Sequence, residues 1–384
     1  MSTEPKPDPR SLFAHGERTE MYDDRSATYP TLEGGAPVAP SSPPPPAAGV
    51  IRGESPRPIE PLTGPVIEGG SSQELVPATR RNPRREEAPG LWQRLMIRIG
   101  AAQAPPTDQE LEDVENERII RQSTWTRAMS VVVVNPKGQS AKTPLTVLLA
   151  GALADVRGGG VVAWEATEVP GDLSDVAEGT PPRGLTELIA GIDTVESAGS
   201  LAGYTSPQSS HAAVIGSVSN RQEMTTEEVR AVRKLLGTYY QIDVADTANN
   251  LQRPMMREVL GGADAVVVPC VVNHKSARGL QKAMRAIESN GIPSHRVVLV
   301  ITHDGGSEDE EFLQHLREQL AQNYRVRALI EVPHDPAIRR DGELTYSDLL
   351  PVTRHTIRRL ARHVVEALND APTTKPNLTL TESE

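Results

Sequence analysis

The chain has 384 residues, 37% of them hydrophobic and only 3% aromatic, and carries a formal net charge of −11. That balance argues against a surface that coats nucleic acid broadly, while leaving room for a local basic patch. A single cysteine, Cys270, excludes an internal disulfide, no metal-ligand spacing surrounds it, and neither a signal peptide nor a membrane-length apolar run is present, so a cytoplasmic location is expected.

Of the 33 prolines, 17 fall in the first 90 residues, including the run from Pro43 to Pro46, and large apolar residues are sparse there. Such a segment buries too little apolar surface to offset chain entropy, so residues 1–88 are predicted to be a disordered arm. The arm ends in Arg80, Arg81, Arg84 and Arg85. Residues 89–122 read as a helical lead-in, first amphipathic and then charged. Trp92, Leu95, Met96 and Ile99 share one helical face, which suits either a protein partner or anionic lipid, or docking back on the chain's own domain. The arm is a second candidate route to a protein partner. A charged helix follows from about Asp108 to Arg121.

From Ser123 onward short apolar runs alternate with helical patterns, which predicts an α/β domain over 123–370 with a mostly parallel sheet and helices on both faces. The strands are expected at 131–134, 161–164, 240–245, 265–270, 297–301 and 328–332. Helices are expected near 184–190, 225–237, 275–289, 308–322 and from Tyr346 onward. The Gly, Ser, Pro and Asp-rich segment 168–219 is otherwise read as loops, and residues 371–384 as a polar tail.

The first strand, four consecutive valines, is followed by a polar turn and an apolar helix. A strand, a Gly-containing turn and Lys-Thr at a helix start form a phosphate-binding P-loop arrangement. Lys142 would reach the β- and γ-phosphates and the Thr143 hydroxyl would ligate Mg²⁺. Pro144 falls in the first helical turn, where a missing N–H costs nothing. Pro136 and Ala141 occupy positions that are glycine in the strict P-loop pattern.

LysGlyGlnSerAlaLysThrPro, residues 137–144, resembles the deviant Walker A motif of the ParA/MinD family of P-loop ATPases, in its actinobacterial form. Lys137 stands at the family's signature lysine, Gly138 at the next glycine, and Lys142 and Thr143 at the phosphate lysine and magnesium threonine. Gln139, Ser140 and Ala141 complete the loop, with Gln139 and Ala141 each replacing a glycine. The resemblance implies ATP and Mg²⁺ as cofactors and a homodimer formed with nucleotide, in which Lys137 reaches the partner's nucleotide, so that Lys137 and Lys142 are the catalytic lysines. It places Asp246, at a strand end, beside the metal with Thr143. It aligns Glu165 with the first acid of the switch that follows the second strand, and puts Thr167 where the second is expected, with Glu168 one residue off. Pro333 and Asp335 would lie near the adenine, while Thr302 replaces a base-reading asparagine. Arg354, Arg358, Arg359 and Arg362 form one basic helix face, read as solvated opposite a packing stripe.

The function implied is a nucleotide-dependent dimerising switch in partitioning, positioning, conjugation or secretion. Two alternatives stand beside it: a non-hydrolysing pseudo-ATPase scaffold, favoured by Pro136, Gln139, Ala141, Thr167 and Thr302, and a nonspecific DNA-binding partition factor. A DNA or membrane surface gains no support from the net charge.

Overall fold

A computed structural model describes residues 106–306, 308–338 and 342–374. These all belong to one compact unit. The Pro-rich arm, its arginine cluster, the Trp92 stretch and the end of the tail lie outside the described residues.

The elements in chain order are α1 (Asp108–Gln122), β1 (Met129–Val133), α2 (Lys142–Arg157), β2 (Val161–Ala166), α3 (Leu173–Val176), α4 (Leu185–Ala190), α5 (Ala198–Ala202), β3 (Ser206–Pro207) and β4 (Ala213–Ile215). They continue as α6 (Thr226–Tyr239), β5 (Ile242–Thr247), α7 (Pro254–Gly261), β6 (Ala265–Val271), α8 (His274–Ser289), β7 (Val297–Thr302), α9 (Glu310–Asn323), β8 (Ala328–Val332) and α10 (Pro351–Asn369). The eight strands form one sheet in the order β3-β4-β2-β5-β1-β6-β7-β8, parallel except for the β3–β4 pair. Strands covered on both faces read as continuous apolar runs, and every residue of β1, β2, β5, β6 and β7 is buried.

Two cores flank the sheet. Residues of α2 and α10, with Ile120 of α1, pack on one face, and α4, α6, α7, α8 and α9 pack on the other. Polar groups inside the sheet are paired with one another where they meet. Asp243, inside β5, accepts from Trp164 Nε1 at 2.9 Å and from Ser130 Oγ at 2.5 Å, a structural role rather than a catalytic one.

The expected strands are all present. Sequence reading missed the short edge strands β3 and β4, and also α7, whose eight residues show barely two turns of pattern. The last helix begins at Pro351 rather than at Tyr346, because proline lacks the N–H for a preceding turn and holds Leu350 extended at ψ 147°. Tyr346–Asp348 form a separate 3-10 turn.

The basic face of α10 is not solvated as expected. Arg358 pairs with Glu117 at 3.3 Å and Asp113 at 3.6 Å, and Arg359 with Glu112 at 3.0 Å. His355 lies 2.9 Å from Asp113, while Arg362 donates to Asn116 Oδ1 at 3.2 Å and pairs with Glu366 at 2.9 Å. The acidic side of α1 closes this face, so the lead-in helix is bound to the domain along its length.

Candidate functional site

The loop from Val134 to Ala141 leaves the centre of the sheet and enters α2. Asn135 anchors it: the fully buried side chain donates to Pro269 O at 2.7 Å and accepts from Lys137 N at 3.0 Å. A Cβ on Gly279 of α8 would collide with Asn135 Oδ1, so a glycine there lets the helix approach the anchor. Gln139 and Ala141 hold φ of 59° and 64°, the left-handed backbone that glycine adopts at no steric cost. The loop therefore holds glycine-like backbone at two positions that carry side chains. Ala141 is the N-cap of α2 and makes no side-chain capping bond, leaving that helix end open to an anion.

The expected residues converge here. Lys142 Nζ donates to Asn249 Oδ1 at 2.7 Å and to Lys137 O at 3.3 Å. The Thr143 hydroxyl donates to Asp246 Oδ2 at 2.7 Å. Sheet register explains the meeting: Val133 of β1 and Glu165 of β2 both lie opposite Asp246 of β5. Burial pushes the Asp246 carboxyl up to about 6, with the Thr143 hydrogen bond and Lys142 opposing that shift. Burial likewise lowers Lys142, against the pull of Asp246. Asp246 Oδ1 and Ser140 Oγ are buried and have no hydrogen-bond partner. These groups line a cleft of about 1320 Å³, which extends past the N-terminus of α8 to Thr302 and Pro333.

Lys137, Gly138, Gln139, Ser140, Ala141, Lys142, Thr143, Pro144, Asp246 and Pro333 all line this cleft. Asp335 does not. Its buried carboxylate accepts from Ala337 N at 2.9 Å and Leu350 N at 2.8 Å, so it organises the turn before α10 instead of facing a base. Glu165 is also engaged elsewhere: it accepts from Ser217 Oγ at 2.6 Å and pairs with Arg221 at 3.1 Å, both side chains being almost wholly buried. The Thr167 hydroxyl donates to Val169 O at 2.6 Å.

Sequence reading passed over several groups the site uses. Arg221 donates to Thr167 O at 2.8 Å and Glu168 O at 2.5 Å, fastening the strand-end loop. Asn249 holds Lys142 through its side-chain oxygen. Asp172 lines the cleft, makes no side-chain hydrogen bond among the described residues and adds to the upward shift of Asp246. Glu168, which the sequence placed one residue off the switch position, lines the cleft too, with Oε1 buried and without a partner among the described residues.

The donor set fits a magnesium nucleotide. Among the described residues no cluster of three or more His, Cys, Asp or Glu side chains could hold a metal alone. A hard cation held by one hydroxyl and one carboxylate would complete its shell with phosphate oxygens and water, and Asp246 Oδ1 has no hydrogen-bond partner among the described residues. Backbone N–H groups of the loop and the N-terminus of α2 suit the phosphates.

No family model matches the chain. It is 22% identical over 275 residues to the ESX-1 secretion-associated protein EspI of Mycobacterium tuberculosis, a match over 70% of this chain and 40% of that protein. The chain therefore spans about two-fifths of the length of the curated relatives it matches. Similar solved structures include a ParA family ATPase from Chlorobium tepidum, at 17% identity and a TM-score of 0.49, covering 61% of this chain and 98% of that one. Another is the cell division ATPase MinD of Pyrococcus furiosus, at 17% identity, a TM-score of 0.46 and coverage of 62% and 99%. A third is cobyrinic acid a,c-diamide synthase from Mycobacterium smegmatis with a bound ATP analog and magnesium, at 17% identity, a TM-score of 0.45 and coverage of 64% and 99%. The described residues form a mostly parallel α/β sheet whose central β1 runs through the loop into α2.

Proposed function

We propose that the chain binds MgATP and acts as a nucleotide-dependent switch, turning ATP over slowly. The observation that carries this reading is the pairing of Thr143 with a buried, half-satisfied Asp246 under a loop held in glycine-like backbone at positions 139 and 141. When bound, Mg²⁺ would neutralise phosphate charge. Thr143 and Asp246 would hold the metal, Ser140 and the loop amides would donate to phosphate oxygens, and Lys142 would leave Asn249 to meet the terminal phosphates. That exchange gives the switch its readout: the segment after β5 loses its lysine partner when the site fills. Lys137, in this reading, serves a second copy of the chain, which makes the nucleotide-bound form a homodimer.

Slow turnover follows from Glu165. With its carboxylate held by Arg221 and Ser217, it is not free to orient an attacking water, and Thr167 cannot accept a proton as a carboxylate would. Asp172, Glu168 and Asp304 are the other acids lining the cleft. The same observation favours a second reading, a nucleotide-locked scaffold with no turnover. The likeness to a secretion-associated protein suits a role in positioning or secretion for either.

The test is calorimetric titration of MgATP into the full chain and into Lys142→Ala, followed by phosphate release from the same samples. Binding that is lost in Lys142→Ala, with slow release in the parent, supports the switch. Binding without release supports the scaffold, and absence of binding rejects both.

A further inference from the structure

Helix α8 carries an unbalanced charge pattern. Lys275, Arg278, Lys282 and Arg285 are all exposed and recur at spacings of three and four, so they form one ridge about 15 Å long. Buried Ser276, Leu280, Ala283, Met284 and Ile287 define the opposite side. None of the four cations forms an ion pair or hydrogen bond through its side chain among the described residues.

The pattern opposes the helix's own electrostatics. Successive like charges three and four apart destabilise a helix. The first turn has no acid and holds Lys275, at the end where the dipole favours anions, while the helix's one carboxylate, Glu288, lies near the other end, where the dipole disfavours it. Elsewhere this chain closes a basic face with carboxylates, as α1 does for Arg358 and Arg359. A ridge that departs from local preference at every turn, in a protein of net charge −11, is a functional feature rather than a solvated face.

We propose that the α8 ridge docks an acidic segment of a partner protein. Its surroundings select among anions. The first turn of α9 carries exposed Asp309, Glu310 and Glu311 and lies beside the start of the ridge, where the His274 and Phe312 ring centroids are 4.2 Å apart. A duplex laid across α8 would meet those carboxylates, whereas a narrow peptide lying along the helix avoids them. No large apolar side chain is exposed on α8, so a membrane would gain no insertion there. Lys275 also lines the nucleotide cleft, which puts one end of the docking ridge at the mouth of the site. The docking itself does not depend on nucleotide binding.

The test is fluorescence anisotropy of a labelled polyglutamate peptide with the full chain, in salt near the physiological level. Duplex DNA and phosphatidylserine vesicles serve as separate probes. The Arg278→Glu/Lys282→Glu pair is expected to weaken peptide binding by roughly tenfold or more. The Lys234→Glu/Arg257→Glu pair, on other helices, should leave it unchanged. If the reversed pair fails to give a cooperative thermal transition, Arg278→Gln/Lys282→Gln replaces it and should still weaken the peptide. No peptide binding, or binding equal in the ridge variant, overturns the proposal. So does tighter binding of DNA or vesicles that is lost in the same variant, since that would assign the ridge to another class of anion.

Discussion

At the scale of single residues, the loop keeps its shape against the preference of its own side chains. Ala141 at φ 64° bears the left-handed cost that glycine avoids, about 1 kcal/mol once the unfolded chain's freedom is counted. Ala141→Gly is therefore expected to raise stability by up to about 1 kcal/mol, and Ala141→Val to lower it by about 2 kcal/mol, since a β-branched residue is a severe outlier there. Urea midpoints of the two variants check the order; a less stable glycine variant would mean that the loop relaxes freely. Asp246 supplies a pH dependence. Folded, it keeps its proton up to about 6; unfolded, it loses it near the ordinary aspartate value of 3.8. Between those values the native state binds more protons, so its contribution falls as pH rises through the window and is flat above it. The loss is at most about 3 kcal/mol in the ligand-free protein, and Asp246→Asn should abolish it, as urea titrations at several pH values would show. Lys142, Thr143 and Asp246 were legible in the sequence because motif and strand end encode them locally. Asn249, Asp172 and Arg221 were not, because each reaches the site from a loop whose path no periodicity describes.

At the scale of elements, legibility followed burial. Strands covered on both faces declare themselves as valine and isoleucine runs, whereas β3 and β4, of two and three residues, are too short to leave a pattern. The α10 arginines show the converse: their spacing was plain, but spacing alone does not name what lies opposite. The acidic residues of α1 lie more than two hundred positions away in the chain, and only the fold joins the two helices. Arg358, 17% exposed, faces Asp113 and Glu117 on α1 and, at 3.8 Å, Asp155 on α2. Such a partly buried cation is worth more than an exposed one, so Arg358→Ala should cost about 1–3 kcal/mol. Combined with Glu117→Gln, the two losses should fall short of additivity by about 0.5–1 kcal/mol, the signature of direct coupling in a double-mutant cycle. Strict additivity would show that the seam is held by apolar packing around Ile120 instead.

At the scale of the whole molecule, the cleft depends on a part of the sheet that looks peripheral. Arg221 comes from the connection between β4 and α6, yet its guanidinium reaches the end of β2 and gathers Glu165, Thr167 and Glu168 into one arrangement. Glu165 lies opposite Asp246 in the register, so this single cation links the antiparallel edge of the sheet to the buried Asp246 carboxylate at its centre. Removing it leaves the buried Glu165 carboxylate with Ser217 and Thr167 as its remaining donors. Arg221→Ala is therefore expected to destabilise the fold by about 3–5 kcal/mol. Because most of that loss is the stranded charge and not the lost contact, Glu165→Gln placed in the Arg221→Ala background should recover part of it, making the double variant more stable than the single one. Hydrogen exchange separates the stability effect from the local one: in both variants amides across 167–172 should exchange faster, since their carbonyl clamp is gone, while β1 and β6 stay protected. A double variant no more stable than Arg221→Ala alone would mean that Glu165 takes up a proton when its partner is removed, and that the edge and the centre are joined by packing rather than by charge.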